Sequence, residues 1–494
     1  MTLRRFLAAS PCVFLLCAEL LFPVTSRAQM APNPLLGQWF GQVHYGAESK
    51  RMGMRFERSE KHPLFVFEDI PELKFNNLGP LPVQQQGDAY KISAIPYHTI
   101  TFRLASDKKS VTGVWSFDGH DLPFELKPGA LPAEAAPQPP AGRVAQPAWT
   151  FKTAGAIWSS PAEAGNTVYF GSIDGIIYAL KADFGKQVWQ FKTNGPVMGA
   201  PTIEGRYLYE LSDDGSLYKL ERRTGKLLWQ FDTHGGPVVR DLAGRYDTTT
   251  SAATVADGTV FIGSADKRLY AVDAQSGREK WHFDTQDIVR SKPAVADGRV
   301  FIGSYDHNVY AVDAQTGSLQ WKYDTLRDVV SSPLVVDGAV YIGSRSADLF
   351  ALDAATGKIK WKFFYWSSWV ESSASARDAI LYVGSSDLQQ LFAIDAASGK
   401  QIWNFDADGS VWATPAVTGK RVYVGAVGVP GYFVPHHGGF FAVDRATAKE
   451  VWRFPMPVIV GKDTYGVASS PAVGHGLVFF GGLDGMFYAF RTDD

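Results

Sequence analysis

A tryptophan recurs about every 40 residues from residue 149 to the C-terminal end of the chain. The steps between successive members are 40, 40, 52, 40, 40, 42 and 49 residues, so the basic period is 40. A chain with such a period folds into equivalent units, because each unit must bury its apolar face against a neighbour. The eight members are Trp149, Trp189, Trp229, Trp281, Trp321, Trp361, Trp403 and Trp452.

Two further series keep step with the tryptophans, one aromatic and one of small residues. Between these marks lie runs of five or six residues rich in Val, Ile, Tyr and Phe, bounded by turn residues, and this pattern predicts four strands per unit. The chain is therefore predicted to be all-β, and four-stranded units of this length are typical of β-propeller blades. The aromatic series is Tyr178, Tyr218, Tyr270, Tyr310, Phe350, Phe392, Phe441 and Tyr488, and the other begins at Ser159, Gly199, Ser251, Ser291, Ser331, Ser372, Ala413 and Ser469.

The two ends of the repeat region complement each other. The last unit ends at Phe490 without a fourth strand, whereas residues 149–153 form a fourth strand that no unit precedes. Pairing them would cover two sheet edges that are otherwise open to aggregation. We therefore predict an eight-bladed β-propeller over residues 148–494, closed by the 149–153 strand.

The repeat carries the motif Ala-x-Asp-x-x-Thr-Gly-x-x-x-Trp. The motif is complete in residues 311–321 and 351–361 and has Ser in place of Thr at Ser276 and Ser398. In this motif, residues 149–494 resemble the repeats of the pyrroloquinoline-quinone (PQQ) dehydrogenases and their non-enzymatic relatives. The resemblance implies that the tryptophan packs between neighbouring blades and that Thr-Gly forms the turn between the third and fourth strands. It implies a fold and not a reaction.

That family contains quinone-dependent alcohol and sugar dehydrogenases, and also the cofactor-free propeller subunit of the outer-membrane barrel-assembly machinery. Its alcohol dehydrogenases carry a vicinal disulfide over the cofactor, and many carry a haem-attachment Cys-x-x-Cys-His run. The two cysteines of this chain, Cys12 and Cys17, both lie near the N-terminus, and the sequence has no such run. The resemblance therefore leaves the sugar-oxidising members and the cofactor-free members as alternatives.

The N-terminal segment has the features of a secretory signal peptide. Arg4 and Arg5 precede an apolar run, and Ser26 and Ala28 match the small residues of a cleavage site. We predict a signal peptide over residues 1–28 and a periplasmic or secreted product. The 48 basic and 50 acidic residues form no block of one sign, which excludes a nucleic-acid footprint, and no later apolar run is long enough to span a bilayer.

Two segments precede the repeats. Residues 36–127 show short alternating polar and apolar stretches, which predict a small β domain of the lipocalin-like barrel or sandwich type. These 92 residues are expected to be too few for a full eight-stranded lipocalin barrel. Residues 128–147 contain six prolines and six alanines, which predict an extended, semi-rigid linker between two domains that move independently.

The positions where the innermost strand of each blade enters the channel are candidates for a ligand site. Four of them carry side chains suited to a flat anionic ligand such as a quinone: Trp158, Arg290, Glu371 and Trp412. The tryptophans offer stacking faces, and Glu371 is the one carboxylate that the sequence assigns to the axis. The alternative is that Arg290 and Glu371 pair with each other or with water. The sequence assigns no catalytic residue and no metal site.

The longest insertions fall on one face of the predicted ring. We call it the top face, and it carries the turns between second and third strands and the connections between blades. Aromatic residues on this face predict a recognition surface for a partner. Alternatively, their rings fold over the top face and pack on one another. The candidate partner-binding residues are Tyr365, Trp366 and Trp369 between blades 5 and 6, and Tyr432 and Phe433 in a hairpin of blade 7.

These observations favour an exported, non-catalytic propeller that binds a protein or cell-envelope partner through its top face, in a scaffold or assembly role and without a cofactor. The alternative is a dehydrogenase that uses PQQ and calcium to oxidise an alcohol or a sugar. Calcium takes several oxygen ligands, so the number of carboxylates near Glu371 separates the two functions.

Overall fold

A computed structural model of the chain describes residues 33–58, 64–93, 98–132, 142–240, 247, 249–430, 432 and 434–492. The chain divides into two compact units, one comprising Met1–Gln138 and Asp241–Asp247 and the other Pro139–Arg240 and Thr248–Asp494. The predicted signal peptide, residues 1–28, lies outside the described residues. Within the described part of the chain, no helix is long and apolar enough to cross a membrane.

The N-terminal unit contains a single nine-stranded antiparallel sheet. Its strands are β1 (Gly37–Tyr45), β2 (Glu48–Glu57), β3 (Phe65–Ile70), β4 (Phe75–Pro82), β5 (Gln84–Gln86), β6 (Ala89–Ile92), β7 (His98–Leu104), β8 (Val111–Phe117) and β9 (His120–Pro128), with a 3-10 turn at Pro71–Leu73. Their order in the sheet is β4-β3-β2-β1-β9-β8-β7-β6-β5. The strands at the two ends of this order, β4 and β5, are separated in sequence by Val83 alone. The sheet therefore curls back on itself into a nearly closed barrel, which confirms the small β-barrel class.

Alternate residues of these strands fill the barrel. Met52, Met54 and Phe56 of β2 are buried, as period-two alternation requires. Glu68 of β3 pairs in register with Met54 and is 2% exposed, and burial raises its pKa to about 8. Short strands joined by tight turns place nine strands between Gly37 and Pro128, which is more than the length of the segment led us to expect.

The C-terminal unit is an eight-bladed β-propeller, as predicted. Each blade is built on four antiparallel strands, to which blade 7 adds two short strands, and the first strands of several neighbouring blades contact one another around the channel. The strands that precede the first complete blade are β10 (Arg143–Val144) and β11 (Trp149–Lys152). Blade 1 contains β12 (Ala162–Glu163), β13 (Thr167–Gly171), β14 (Ile176–Lys181) and β15 (Gln187–Lys192), and blade 2 contains β16 (Thr202–Glu204), β17 (Tyr207–Leu211), β18 (Ser216–Glu221) and β19 (Leu227–Asp232). Blade 3 contains β20 (Thr254–Ala256), β21 (Thr259–Gly263), β22 (Arg268–Asp273) and β23 (Glu279–Asp284), and blade 4 contains β24 (Ala294–Ala296), β25 (Arg299–Gly303), β26 (Asn308–Asp313) and β27 (Leu319–Asp324).

Blades 5 to 8 continue the same pattern to the C-terminal end. Blade 5 contains β28 (Leu334–Val336), β29 (Ala339–Gly343), β30 (Asp348–Asp353) and β31 (Ile359–Phe364), and blade 6 contains β32 (Ser375–Arg377), β33 (Ile380–Gly384), β34 (Gln390–Asp395) and β35 (Gln401–Asp406). Blade 7 contains β36 (Ala416–Val417), β37 (Arg421–Gly428), β38 (Gly439–Asp444) and β39 (Glu450–Pro455), with the added strand β40 (Tyr465–Gly466). Blade 8 contains β41 (Ala472–Gly474), β42 (Leu477–Gly481) and β43 (Met486–Arg491).

Both ends of the repeat region contribute to one sheet. β11 pairs antiparallel with β43, so the fourth strand of blade 8 comes from the start of the propeller. β10 adds in parallel to β39, the outermost strand of blade 7, and Ala145 is buried in the adjoining core. The last residues of the predicted linker are therefore part of the propeller, whereas residues 133–141 lie outside the described residues.

The repeat tryptophan joins each blade to the next. A Cβ built on Gly357 (φ +69°) would lie 2.6 Å from Cε3 of Trp321 in the preceding blade, and the indole N–H of Trp321 donates to the Ala354 carbonyl (3.1 Å). This confirms that the tryptophan packs between blades and that the glycine turn makes room for its ring. The same two contacts are made by Trp149, Trp189, Trp229 and Trp361.

Replacing Gly357 by alanine is expected to destabilise the propeller by displacing Trp321. Gly338 is the matched control, because it has the same left-handed backbone (φ +70°) in the same blade but nothing within 4 Å of an added Cβ. We expect Gly338→Ala to cost about 1 kcal/mol through backbone strain alone, and Gly357→Ala to cost about 3 kcal/mol because the clash adds to it. Calorimetric unfolding of the two variants measures this difference, and equal melting temperatures would contradict it.

Candidate functional site

In five of the eight blades, a tyrosine of the third strand fixes a turn of the top face. Its hydroxyl donates to an aspartate that lies four residues earlier, in the turn before the strand, at 2.5–2.9 Å. This hydrogen bond ties the turn to the strand. The pairs are Tyr178–Asp174, Tyr218–Asp214, Tyr270–Asp266, Tyr310–Asp306 and Tyr488–Asp484.

Blades 5, 6 and 7 lack this contact. Their third strands carry Phe350, Phe392 and Phe441, which have no hydroxyl to donate. In blade 5 the aspartate position is taken by Ser346, and in blade 6 Asp387 remains without its usual tyrosine. Three consecutive blades therefore depart from the repeat sequence at the same position. A different set of polar contacts occupies their part of the top face.

The first of these contacts is a buried ion pair. Nε and Nη2 of Arg345, in the blade 5 turn, lie 2.8 and 2.6 Å from Oε1 of Glu371. Nη1 of Arg345 lies 3.3 Å from Oδ2 of Asp328. The guanidinium carbon also lies 4.7 Å from the ring centroid of Trp369, a distance at which a cation–π attraction operates. The Arg345 and Glu371 side chains are 6% and 4% exposed, so their charges neutralise each other inside the protein.

The second contact belongs to Asp387. The hydroxyl of Tyr432, in the blade 7 hairpin, donates to Oδ1 of Asp387 (2.5 Å), and the Ser368 hydroxyl accepts the Asp387 N–H (2.9 Å). Burial raises the pKa of Asp387 to about 6, the Tyr432 hydrogen bond lowers it, and the negative charge of Glu371 raises it. Tyr432 therefore replaces, from a neighbouring blade, the tyrosine that blade 6 lacks.

These six residues, Asp328, Arg345, Trp369, Glu371, Asp387 and Tyr432, are called the top-face cluster below. The Trp369 carbonyl accepts the Ser386 N–H (3.1 Å), which links the Arg345 ion pair to the Asp387 turn. The cluster can bind through a fixed pattern of charges and half-buried aromatic rings, and Asp387 can exchange a proton near neutral pH.

The predicted channel site is distributed over several blades. Glu371 lies in the top-face cluster, and the indole N–H of Trp412 donates to the Ser386 hydroxyl beside it (3.1 Å). Trp158 is half-buried at the start of blade 1, and Arg290 is buried between blades 3 and 4. The sequence left open whether Glu371 pairs with Arg290 or with water, and in the structure Arg345, on the adjacent turn, pairs with this carboxylate.

The predicted aromatic surface is partly folded inward. Tyr365 is fully buried and Trp366 is 4% exposed. The Tyr365 ring packs edge-on against Phe363 (5.0 Å) and Phe392 (4.9 Å). The prediction that both rings are exposed is therefore corrected, and the alternative, packing over the top face, describes them.

The remaining predicted partner residues differ in their surroundings. Trp369 and Tyr432 are half-buried within the top-face cluster, and Phe433 lies outside the described residues. In the same hairpin, His436 is buried with Nδ1 2.9 Å from the Ser410 hydroxyl, whereas His437 is exposed beside Asp408. Across the described ranges, no three His, Cys, Asp or Glu side chains are grouped so that they could hold a metal ion.

The inserted connection between blades 2 and 3 is anchored at its described ends. Nε and Nη2 of Arg240 donate to the Asp213 carboxylate (2.9 and 2.8 Å), and Nη1 donates to the Thr249 carbonyl (2.7 Å). Both charged side chains are mostly buried. The anchor holds Val239 on the top face with 91% of its surface exposed.

Arg345, Asp328 and Asp387 are the cluster residues that sequence reasoning missed. The signal for them was present in the aromatic series, where tyrosine changes to phenylalanine at Phe350, Phe392 and Phe441. A lost hydroxyl donor in three consecutive blades marks the place where other polar groups must take over.

Comparison with known proteins agrees with the architecture. The sequence model of the family described as outer membrane protein assembly factor BamB matches residues 137–282, 240–364 and 365–494. No curated protein sequence matches the chain. At the identities given below, similarity to solved structures shows a shared fold.

Three solved structures illustrate this similarity. One is BamB from Moraxella catarrhalis, with 18% identity, a TM-score of 0.54, and coverage of 71% of this chain and 100% of that chain. Another is quinohemoprotein alcohol dehydrogenase ADHIIG from Pseudomonas putida HK5, with 15% identity, a TM-score of 0.53, and coverage of 71% and 78%. A third is a europium-containing methanol dehydrogenase, with 15% identity, a TM-score of 0.53, and coverage of 69% and 88%.

Replacing Tyr432 by phenylalanine is expected to raise the pKa of Asp387 above its value of about 6, because the hydrogen bond to the carboxylate is lost. A raised aspartate pKa means that the folded chain holds a proton that the unfolded chain has released. The resulting stability is complete below about pH 4 and is lost as the pH rises through the folded pKa, by about 3 kcal/mol in the wild type.

Melting temperatures measured across this pH range for the wild type, Tyr432→Phe and Asp387→Asn test the prediction. The decline should extend to higher pH in Tyr432→Phe and should be reduced in Asp387→Asn. Identical pH profiles for the three proteins would show that Asp387 does not titrate in this way.

Proposed function

The chain belongs to the PQQ-like β-propeller family described as outer membrane protein assembly factor BamB, and from this we propose that it is an exported, non-catalytic propeller. We propose that it binds a protein or cell-envelope component through its top face, in a scaffold or assembly role, without a cofactor. The family model spans residues 137–494, so the proposal concerns the propeller.

The observation that favours a non-catalytic role over a catalytic one is the Arg345–Glu371 ion pair. A calcium- and quinone-dependent dehydrogenase acting on an alcohol or sugar is the second candidate function, since similar folds occur in two dehydrogenases. It would need Glu371 as an oxygen ligand within a set of six to eight. Here the carboxylate is neutralised by a guanidinium at 2.6 Å, and the described residues supply no group of three metal-binding side chains. The residues present do not fit calcium, so we derive no oxidation step.

The shape of the top face supports partner binding. The inserted connections place Val239 between blades 2 and 3 and Val460 between blades 7 and 8 with 91% and 95% of their surfaces exposed. Val458 beside it is 57% exposed. Exposed aliphatic side chains on long connections are available to an apolar patch of another protein. Export through the predicted signal peptide would bring this surface to the periplasm or the cell exterior.

A photo-cross-linker is expected to trap a partner from the top face and not from the opposite face. We would place p-benzoylphenylalanine at Val239, Val460 or Phe184, in separate variants expressed in the native cell. Phe184 is the control, because it is 59% exposed on a turn between third and fourth strands, on the side away from the top face. Adducts of one mass at Val239 and Val460, and none at Phe184, are expected. Adducts that are equally abundant at Phe184, or none at the top face, would contradict the proposal.

Titration with PQQ is expected to give no saturable, calcium-dependent change in the quinone absorbance, because Arg345 already occupies the Glu371 carboxylate. The control is Arg345→Met, which frees that carboxylate without removing it. Saturable binding by the wild type that requires calcium and disappears in Glu371→Ala would favour the dehydrogenase.

A further inference from the structure

In most blades, a serine near the channel links the start of the first strand to the end of the second strand. It lies just before the innermost strand, and its hydroxyl accepts the N–H of the glycine that ends the second strand, at 2.8–3.1 Å. In several blades the same hydroxyl donates to a backbone carbonyl, as Ser331 does to Gly343 (2.9 Å). The pairs with an accepted N–H are Ser159–Gly171, Ser251–Gly263, Ser291–Gly303, Ser331–Gly343 and Ser469–Gly481.

Blade 2 departs from this arrangement at three positions. Gly199 stands at the serine position and Leu211 at the glycine position. Between them in the repeat pattern, Glu210 takes a place that is Phe, Ile or Val in the other seven blades. One inner wall has therefore lost a hydroxyl and gained a carboxyl group.

The carboxyl group lies where the hydroxyl is missing. Oε1 of Glu210 lies 3.2 Å from the position that a Cβ on Gly199 would take. The carbonyl oxygens of Ser251 and Leu211 lie 2.9 and 3.6 Å from the same position. With Glu210 in place, a side chain at 199 would be crowded by the Ser251 carbonyl oxygen and by Oε1 of Glu210.

Glu210 is deeply buried. Its exposed fraction is 0%, and neither carboxyl oxygen has a hydrogen-bond partner among the described residues. An ionised carboxylate in such a place is strongly unfavourable, whereas a neutral acid has a proton to donate to a carbonyl oxygen. Burial accordingly raises the pKa of Glu210 well above its ordinary value.

The charged group that acts on Glu210 is Lys292, in the wall of blade 4. Lys292 occupies a position that is Ser, Ala or Thr in the other blades. Burial lowers the pKa of Lys292 and the charge of Glu210 raises it. Among the described residues, Lys292 is therefore the positively charged group that would attract the carboxylate once it forms.

We propose that Glu210 is a proton-sensitive latch of the inner wall. As a neutral acid it is accommodated beside Gly199, where other blades have a serine, and as a carboxylate it is disfavoured by burial and attracted by the charge of Lys292. The released proton passes to bulk solvent. The inner wall of blade 2 thereby contains a group whose charge depends on pH, unlike the serine of its neighbours.

The sign of the pH effect follows from the raised pKa. The folded chain keeps a proton on Glu210 that the unfolded chain loses near the ordinary value of 4.5. The stability from the latch is therefore full below that value and is lost as the pH rises toward the folded pKa.

The test is thermal unfolding of the mature chain between about pH 5 and about pH 9. All variants carry Glu68→Gln and Asp387→Asn, because Glu68 of the N-terminal unit and Asp387 of the top-face cluster also titrate in this range, with pKa values of about 8 and about 6. The variants are Glu210→Gln, Lys292→Met, and the triple change Gly199→Ser, Glu210→Ile and Leu211→Gly, which restores the repeat of the other blades.

The melting temperature of the parent should fall by roughly 5 °C over this range, whereas Glu210→Gln and the triple variant should show a flat profile. Lys292→Met should extend the decline to higher pH, because the attraction that favours the carboxylate is removed. An infrared difference spectrum of the parent minus Glu210→Gln at neutral pH should show the band of a protonated carboxylic acid.

Parallel pH profiles for the parent and Glu210→Gln, or a difference spectrum without that band, would overturn the proposal. If the triple variant does not fold, the Glu210→Gln comparison and the spectrum decide. Neither readout depends on partner binding, so the outcome is separate from that of the proposed function.

Discussion

The propeller depends on the contact between a tryptophan of one blade and a glycine turn of the next. The ring occupies the space that a side chain on the turn would fill, and its N–H caps a carbonyl of that turn, as Trp321 does with Gly357 and Ala354. One contact thus combines apolar burial, a hydrogen bond and a positive φ that glycine adopts without strain. Because it recurs between consecutive blades, it fixes the angle at which each blade meets its neighbour, and the angle determines how many blades close a ring.

Such regularity makes departures informative. A repeat unit that keeps its tryptophan and turn can change other positions without losing its place in the ring. Two groups of departures occur, and each is internally consistent. On the top face, the loss of the strand tyrosine at Phe392 is accompanied by Tyr432 reaching Asp387 from the next blade. In the inner wall, the loss of a serine at Gly199 is accompanied by the gain of Glu210. In both cases the position that has lost a hydroxyl lies beside a polar group that the other blades do not have.

The architecture was predictable because it is a property of the period. The spacing of Trp149 to Trp452 predicts eight units, and the four-strand pattern predicts blades, which the structure confirms. The nearly closed N-terminal barrel was predictable as a class, but its nine strands were not, because strand count depends on short turns such as Val83. The site was harder. That Arg345 meets Glu371 depends on which loops of adjacent blades converge, and a single sequence does not contain that geometry. The burial of Tyr365 likewise depends on the space beside Phe392, on another blade.

The ion pair at the channel mouth is better explained by function than by stability. Bringing two charges out of water costs about as much as their attraction returns, and the contacts between blades already hold the ring together. Arg345 and Glu371 instead determine the charge and the packing at the channel mouth. The guanidinium lies against Trp369 and is close to Asp328, so this part of the channel presents a packed, largely neutralised surface in place of an open carboxylate. Under the proposed function, a protein surface would bind beside it, through the exposed valines of the neighbouring connections.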